Sequence, residues 1–271
     1  MCPFHSTDLR LDSARSGQTV WGPTNQVKQC EGEGEKVLTA SAMVPSMSVT
    51  QPARSASITQ PDYWWYRARA DLLHTVLNSF VQEPRLVLDV DPSGLGTGGV
   101  CGSAMALPFA DATFDVVAAF DVVEHCEPET SVLDELCRVL VPAGRLFISV
   151  PAYQWAWTRF DELSGHHRRY TRPRIVHAVE AAGLRVERST YAFMSVFPFF
   201  ALDRLRSRLR QAITRDSRSQ GESAEPTLPE LSPATERVLM GLSRIDRGLL
   251  GRVNLPFGSS VIVVATKATQ F

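Results

Sequence analysis

The chain has 271 residues, of which 44% are hydrophobic, and a formal net charge of −1 at neutral pH. This length suits one large domain or two small ones, and the near-zero charge provides no global field that would attract nucleic acid. The five cysteines form no C-x-x-C pair, which indicates reduced thiols rather than a disulfide framework or a zinc site. We therefore expect a cytoplasmic protein that holds no metal and binds no nucleic acid.

Residues 1–60 are rich in Ser, Thr, Gln, Gly and Pro and show no sustained hydrophobic period, which predicts a disordered extension. Two interpretations stay open: a flexible tail, or an extension upstream of a true start at Met47. Order is predicted to begin near Pro61 with a helix over 62–80. Its apolar face would consist of Leu72, Leu73, Val76, Leu77 and Phe80.

Apolar runs that alternate with helical patterns predict an α/β domain over residues 61–196. Buried strands are expected at 85–90, near Val100, and at 114–120, 145–150, 184–193 and 259–267. Helices are expected at 131–140, with a capping box of Ser131 and Asp134, and at 172–183. This order indicates a doubly wound sheet that binds ligands at the carboxyl ends of its strands.

Residues 197–256 separate the last two strands as a helical insertion with a Ser/Glu/Pro linker at 216–233. The helix over 197–213 is basic and amphipathic, with Leu202, Leu205, Leu209 and Ile213 on one face. It would be a substrate lid, a peripheral membrane contact, or a helical cap with a solvated charged face, which the sequence favours. The segment 257–271 returns the chain to the α/β domain as its last strand.

Two blocks carry a resemblance to a known family: ALPFADATFDVVAAFDVVEH (106–125) and ELCRVLVPAGRLFISVPA (135–152). They closely resemble the second half of a class I S-adenosylmethionine-dependent methyltransferase domain of the type 11 kind. The resemblance implies a Rossmann-like, three-layer αβα fold with an antiparallel last strand. It also implies S-adenosylmethionine as the methyl donor and a small molecule or lipid as the acceptor.

The same resemblance, carried over position by position, implies a donor site. Gly102, Ser103 and Ala104 would line the adenine, although the family often has an acidic residue where Ser103 stands. Asp121 and Val122 would lie beside the sulfonium. His125 would be either a general base or a side chain packed under the donor.

Two further groups of residues would close the site. Tyr63, Trp64, Trp65 and Arg67 would cover the donor, with Arg67 on its carboxylate, or would form plain aromatic packing on the sheet. The GHHRRYT segment (165–171) would contact an anionic acceptor or form a solvated loop. Its candidate acceptor-binding residues are His167, Arg168, Arg169 and Tyr170.

The stretch VLDVDPSGLGTGG (87–99) departs from the family pattern of strand, glycine loop, helix and second strand. Interpreted as the second strand, it makes Asp89 the partner of the ribose hydroxyls and Gly94 the start of a turn. Only residues 91–99 separate Val90 from Val100, whereas a parallel crossover takes about ten to twelve residues. We therefore expect one strand and one helix to be missing and donor binding to be impaired, unless another segment such as 34–44 fills the gap.

Three functions stay open from the sequence. A methyltransferase of reduced activity comes first, and a non-catalytic pseudo-methyltransferase or binding module, distinguished by loss of donor binding, comes second. A nicotinamide-dependent dehydrogenase is suggested by the G-x-G-x-G run alone and lacks the helix start and later acidic residue that such sites use. The acceptor and the oligomeric state are not predicted.

Overall fold

A computed structural model describes residues 38–43, 63–91, 100–213 and 231–269, which all belong to one compact unit spanning Glu35–Phe271. The strands are β1 (Leu38–Met43), β2 (Val87–Asp91), β3 (Val100–Gly102), β4 (Phe114–Phe120), β5 (Leu140–Pro151), β6 (Leu184–Ala192) and β7 (Ser260–Lys267). The helices are α1 (Trp64–Phe80), α2 (Glu129–Val139), α3 (Arg159–Leu163), α4 (Arg172–Ala181), α5 (Phe197–Ile213) and α6 (Pro233–Leu250).

The described strands form one seven-stranded sheet in the order β3-β1-β2-β4-β5-β7-β6. At its centre β2, β4 and β5 run parallel, and β7 runs antiparallel between β5 and β6. β4 and the second half of β5 are almost continuously apolar and buried, as expected for strands whose two faces are both covered by helices. The three-layer α/β fold predicted from the sequence, including its antiparallel last strand, is confirmed.

Two helix pairs cover the sheet. One pair is α1 with α6, and the other is α2 with α4. The apolar stripe of α1 buries Leu72 and Val76, and its last residue, Phe80, lies edge-on to Phe147 of β5 at 6.4 Å. This contact fixes the end of α1 on the sheet, so the start of the helix extends toward the carboxyl ends of the central strands.

The strand β1 lies inside the segment 1–60, for which the sequence predicts disorder, and that prediction is wrong for these six residues. β1 pairs antiparallel with β2, from Thr39 opposite Asp91 to Met43 opposite Val87, and also with β3. The candidate segment 34–44 therefore does contribute a strand to the sheet. The rest of 1–62, including the alternatives for Met47, lies outside the described residues.

The register explains how the short stretch 91–99 can connect β2 to β3. Ala40 of β1 lies opposite both Val90 and Val100, so β3 begins level with the end of β2. A conventional crossover is longer because it returns to the opposite end of the sheet. Here the two ends are two strand spacings apart, about 10 Å. The predicted loss of a strand and helix therefore leaves no open position in the sheet, and residues 92–99, including Gly94, lie outside the described part of the chain.

The boundaries of α2 differ from the prediction. The helix begins at Glu129 after Pro128, and no side chain caps it. The capping box expected from Ser131 and Asp134 is wrong, because Ser131 already lies in the first turn with its N–H bonded to the carbonyl of Pro128. The helix ends at Val139, and β5 starts at the next residue rather than at residue 145.

Candidate functional site

The chain reverses sharply where β4 ends. Asp121 follows the last strand residue with φ of 56°, in the left-handed region that non-glycine residues rarely adopt. Its N–H donates to the carbonyl of Ser149 at 2.8 Å, which ties the reversal to β5. A short 3-10 turn, Val123–His125, comes next. The Asp121 side chain is thereby placed at the carboxyl edge of the central strands.

Arg69 of α1 reaches this reversal. Its guanidinium lies 2.8 Å from Asp121 Oδ2 and donates to Ser149 Oγ at 2.9 Å, while Ser149 Oγ donates to Asp121 Oδ1 at 3.0 Å. The guanidinium also lies over the rings of Trp65 and Phe120, at 5.5 and 5.9 Å. The Arg69 side chain is only 19% exposed, so this ion pair is screened less than a surface pair.

Arg67 lies away from the Asp121 reversal, and its predicted role on the donor carboxylate stays a prediction. Its side chain is 57% exposed and lies 3.8 Å from Glu236 of α6. Two residues along a helix correspond to a rotation of about 200°, so Arg67 and Arg69 cannot share a face. Sequence periodicity could have identified Arg69, because it stands three and four residues before Leu72 and Leu73 on the buried stripe.

The aromatic residues at the start of α1 divide between core and site. Trp64 is buried, and its indole N–H has no hydrogen-bond partner among the described residues. Trp65 stacks on Phe193 of the loop after β6, with ring centroids 5.9 Å apart. Tyr66 lies near Arg69 and Asp121, and burial raises its pKa while the charge of Arg69 lowers it in part. Trp65 and Tyr66 therefore border the reversal, whereas Trp64 packs in the core.

The residue predicted to hold the ribose lies on β2, next to β4, whereas the residues predicted to line the adenine lie at the end of the edge strand β3 and just after it. Asp89 is half-buried and pairs in register with Ala118. Gly102 ends β3, and the Ser103 hydroxyl accepts the N–H of Met105 at 3.2 Å within a tight turn. Ala104 is buried in the core. The Ser103 oxygen is thus already used within its own turn.

The three residues that follow Asp121 are all buried, and the last of them is ionisable. Val122 and Val123 are fully buried. Glu124 is also fully buried, and neither of its carboxylate oxygens has a hydrogen-bond partner among the residues described. Burial raises the pKa of Glu124 well above its usual value, and the nearby charge of Asp121 raises it further. Burial therefore favours the neutral form of the Glu124 carboxyl, although a backbone hydrogen bond and the charges of Arg69 and Arg169 lower its pKa in part.

His125, the predicted base, is half-buried at the end of the 3-10 turn. Its Nδ1 lies 3.3 Å from the carbonyl oxygen of Gly165. Because a carbonyl oxygen only accepts, this hydrogen bond requires the proton on Nδ1. The unprotonated nitrogen of the neutral ring is then Nε2, so Nε2 is the atom that would accept a proton if His125 acted as a general base.

The GHHRRYT loop is held from within the protein. Arg168 is buried, donates to the carbonyl of Cys126 at 3.0 Å, and pairs with Glu127 and Glu129. Tyr170 is fully buried and donates from its hydroxyl to Glu129 at 2.7 Å. Internal partners already use the polar atoms of both side chains, so the acceptor contacts predicted for Arg168 and Tyr170 would require these bonds to be exchanged, and they stay predictions. The alternative of a solvated loop is wrong for the same two residues.

A second buried ion pair anchors the same loop. Asp161 of α3 accepts Arg169 Nε at 2.7 Å and lies 2.9 Å from His166 Nδ1. Burial alone would raise the pKa of Asp161, but the hydrogen bonds from His166 and Arg169 outweigh it and hold the pKa well below its usual range. His167 is about half exposed. It is thus the one predicted acceptor residue of this loop that faces solvent.

The ALPFADATF motif mainly positions the backbone between β3 and β4. Arg138 of α2 donates to the carbonyls of Leu107 and Phe109 at 3.0 and 2.8 Å and pairs with Asp111 and Glu135, each at 2.7 Å. Glu135 in turn accepts the N–H of Leu107 at 2.8 Å. These bonds hold the ALPFADATF segment against α2, the helix that follows β4.

This geometry can be compared with known proteins. Residues 78–148 match the family model of the methyltransferase domain. Over this region the chain matches a class I S-adenosylmethionine-dependent methyltransferase domain. The methyl donor of this family is S-adenosylmethionine.

Curated relatives support the same assignment over part of their length. The chain is 33% identical over 92 residues to the biotin biosynthesis bifunctional protein BioHC of Cellvibrio japonicus, covering 32% of this chain and 18% of that protein. It is 40% identical over 68 residues to the ubiquinone/menaquinone biosynthesis C-methyltransferase UbiE of Cereibacter sphaeroides, covering 23% and 27%. It is 32% identical over 98 residues to the malonyl-[acyl-carrier protein] O-methyltransferase of Methylococcus capsulatus, covering 34% and 36%. The chain thus spans between 18% and 36% of the length of these three relatives.

Proposed function

We propose that this protein transfers the methyl group of S-adenosylmethionine to a small-molecule or lipid acceptor. The observation that carries the proposal is the Asp121–His125 segment. It lies within the matched region, at the carboxyl end of β4, and Asp121 is paired with Arg69 of α1. Ligands of doubly wound sheets bind at this edge.

The charges at this edge suit the methionine part of the donor. An amino-acid zwitterion carries one ammonium and one carboxylate, and the Arg69–Asp121 pair offers a partner of opposite sign to each. Asp89, within the neighbouring strand β2, would accept hydrogen bonds from the ribose hydroxyls. Asp89 and Asp121 both belong to the part of the chain that the structure describes. Donor binding can therefore be proposed without residues 92–99.

When bound, S-adenosylmethionine supplies an electrophilic methyl group, which reduces the work of the protein to orientation and proton removal. His125 would accept the acceptor's proton at Nε2 while a bond forms between the acceptor atom and the methyl carbon and the carbon–sulfur bond breaks. The sulfur keeps the bonding electron pair, and S-adenosylhomocysteine leaves. The Gly165 carbonyl holds the histidine ring in the required tautomer.

Aromatic residues beyond β5 support an apolar acceptor. Tyr153 stacks on Tyr191 and Trp155 at 5.4 and 5.7 Å, and Phe197 at the start of α5 contacts Tyr153 at 5.5 Å and Phe257 at 5.6 Å. Trp155 and Phe257 are exposed. A lipid acceptor would also suit a peripheral membrane contact through 197–213, since Phe199, Leu202 and Leu205 of α5 are exposed. Among the described helices, none combines the length and apolarity needed to cross a membrane.

A non-catalytic binding module is the second candidate. The observation in its favour is the length of 91–99, which replaces the longer strand–loop–helix pattern of the family. Such a module would keep the fold and the acceptor surface but would lose donor binding. The two candidates therefore differ in one measurable property.

Calorimetric titration of S-adenosylmethionine and S-adenosylhomocysteine into the full-length chain separates them. The methyltransferase proposal expects dissociation constants on the order of micromolar, about −8 kcal/mol. A folded chain, checked by circular dichroism, that binds neither compound at millimolar concentration would contradict the proposal and favour the binding module. Bound donor would justify a radiolabelled methyl-transfer screen of apolar hydroxyl, amine and carbon acceptors.

A further inference from the structure

Three side chains with metal-binding atoms meet next to the β4 reversal. They are Glu124, His125 and His166, and one ligand-type atom from each lies within 4.8 Å of the other two. The two imidazole rings contact edge to face, with centroids 4.6 Å apart. His166 comes from the GHHRRYT loop, so two separate parts of the chain build the cluster.

Glu124 is the unusual member of this cluster. It is fully buried, and both carboxylate oxygens lack hydrogen-bond partners in the part of the chain that the structure describes. Buried polar groups are nearly always satisfied, so an unsatisfied carboxyl requires an explanation such as an absent ion. Neither nearby arginine pairs with Glu124, because Arg69 is paired with Asp121 and Arg169 with Asp161.

The two histidines are oriented by groups outside the cluster. Nδ1 of His166 bonds to the buried carboxylate of Asp161 at 2.9 Å, and Nδ1 of His125 lies 3.3 Å from the Gly165 carbonyl. Histidines that bind metals characteristically donate one ring N–H to a carboxylate or carbonyl, which directs the other nitrogen to the ion. Asp161 itself is fixed by Arg169 and by the backbone N–H of Thr158.

We propose that Glu124, His125 and His166 bind one divalent transition-metal ion of the zinc type. Two imidazoles and one carboxylate are a ligand set that zinc uses when a fourth position stays open to water or substrate. Tetrahedral bonds of about 2.0 Å place ligand atoms about 3.3 Å apart, so the observed separations require a contraction of about 1.5 Å or less. Side-chain rotation can supply that movement.

The base role proposed for His125 applies to the metal-free protein, because a bound ion would occupy the same ring nitrogen. Metal binding is therefore tested apart from donor binding. The two experiments fail independently.

The experiment titrates Zn²⁺ into the full-length, tag-free, EDTA-treated chain and repeats the titration with Co²⁺ followed by absorption spectroscopy. The wild-type chain should bind one equivalent, and Co²⁺ should show the intense visible bands of a four- or five-coordinate nitrogen/oxygen site. Glu124→Gln and His166→Ala should each weaken Zn²⁺ binding by about 30-fold or more. His177→Ala is the matched control because His177 is an exposed histidine of α4 outside the cluster, and it should bind like the wild type.

Two results would overturn the proposal. One is a wild-type chain that binds no Zn²⁺ below about 0.1 mM, an affinity near −5.5 kcal/mol. The other is a result in which the wild type binds Zn²⁺ and both Glu124→Gln and His166→Ala bind the same number of equivalents. The ion would then lie at cysteines or histidines elsewhere in the chain. Thermal melts of each variant confirm folding, and the near-isosteric Glu124→Gln keeps the test decisive if His166→Ala unfolds.

Discussion

Arg69 and Arg67 stand two positions apart on one helix and meet different surroundings. Arg69 lies against Asp121 and Ser149, whereas Arg67 is directed toward Glu236. If the donor's carboxylate binds at the β4 reversal, Arg69→Ala should weaken S-adenosylhomocysteine binding by about 10-fold or more, about 1.4 kcal/mol. Arg67→Ala should change it by less than about two-fold. Calorimetry on both variants checks this prediction. If both substitutions weaken S-adenosylhomocysteine binding equally, Arg69 does not contact the donor's carboxylate.

The burial of Glu124 leads to a second prediction, on how the free energy of unfolding depends on pH in metal-free buffer. Its pKa is raised in the folded state by burial, so the unfolded chain ionises first as the pH rises above the ordinary value of 4.5. Folding stability is therefore lost with rising pH until the folded-state pKa is reached, by at most about 1.4 kcal/mol per pH unit. Glu124→Gln should lose less free energy of unfolding than the wild type between pH 5 and 8, as measured by urea denaturation. Parallel pH profiles of the two proteins would contradict it.

The site was only partly predictable from single residues. The acidic ends of β2 and β4 follow apolar runs and were identified from the sequence. The partners of the GHHRRYT loop were not, because Arg168 binds Cys126 and Glu129, which lie 42 and 39 residues earlier in the chain. A sequence motif shows that arginines are present, but it does not show whether a buried carboxylate already neutralises them.

At the scale of elements, α5 presents an apolar row to solvent. Phe199, Leu202 and Leu205 are exposed at spacings of three residues, with Arg206 exposed beside them. If this row contacts a membrane surface, Phe199→Glu together with Leu202→Glu should reduce co-sedimentation with anionic vesicles by about 10-fold or more. The matched control is Val238→Glu, which changes an exposed apolar residue of α6. Loss of vesicle binding in the control, or no binding by the wild type, would contradict the prediction.

Elements with a strong apolar pattern were the ones that the sequence predicted well. β4 was predicted at its observed bounds because FDVVAAF is buried on both faces. β1 is not predicted because LTASAM mixes small, polar and apolar residues without a clear period, and its pairing with β2 and β3 depends on residues 44 to 64 positions away. A local sequence pattern predicts a strand only where the strand is buried enough to require a regular run of apolar residues.

At the scale of the whole molecule, β1 predicts where the chain can be shortened. A chain that begins at Glu35 keeps β1 and should unfold at nearly the same temperature as the full chain. A chain that begins at Met47 loses β1 and leaves the edges of β2 and β3 without their observed partners, so its melting temperature should fall by at least about 4 °C. Differential scanning calorimetry of both truncations checks this. Equal melting temperatures would mean that β1 adds nothing to stability.

The antiparallel β7 has a consequence for how this chain can diversify. Ala192 ends β6 directly opposite Ser260, which begins β7, so the entire excursion between them starts and finishes at one pair of neighbouring strands. Gly258 closes the excursion so tightly that a Cβ there would lie 2.0 Å from the carbonyl oxygen of Ala192. The entropy of closing a loop depends on its length only logarithmically. The length and composition of this connection can therefore vary without moving the parallel strands or their acidic residues, provided that α6 keeps its packing against α1.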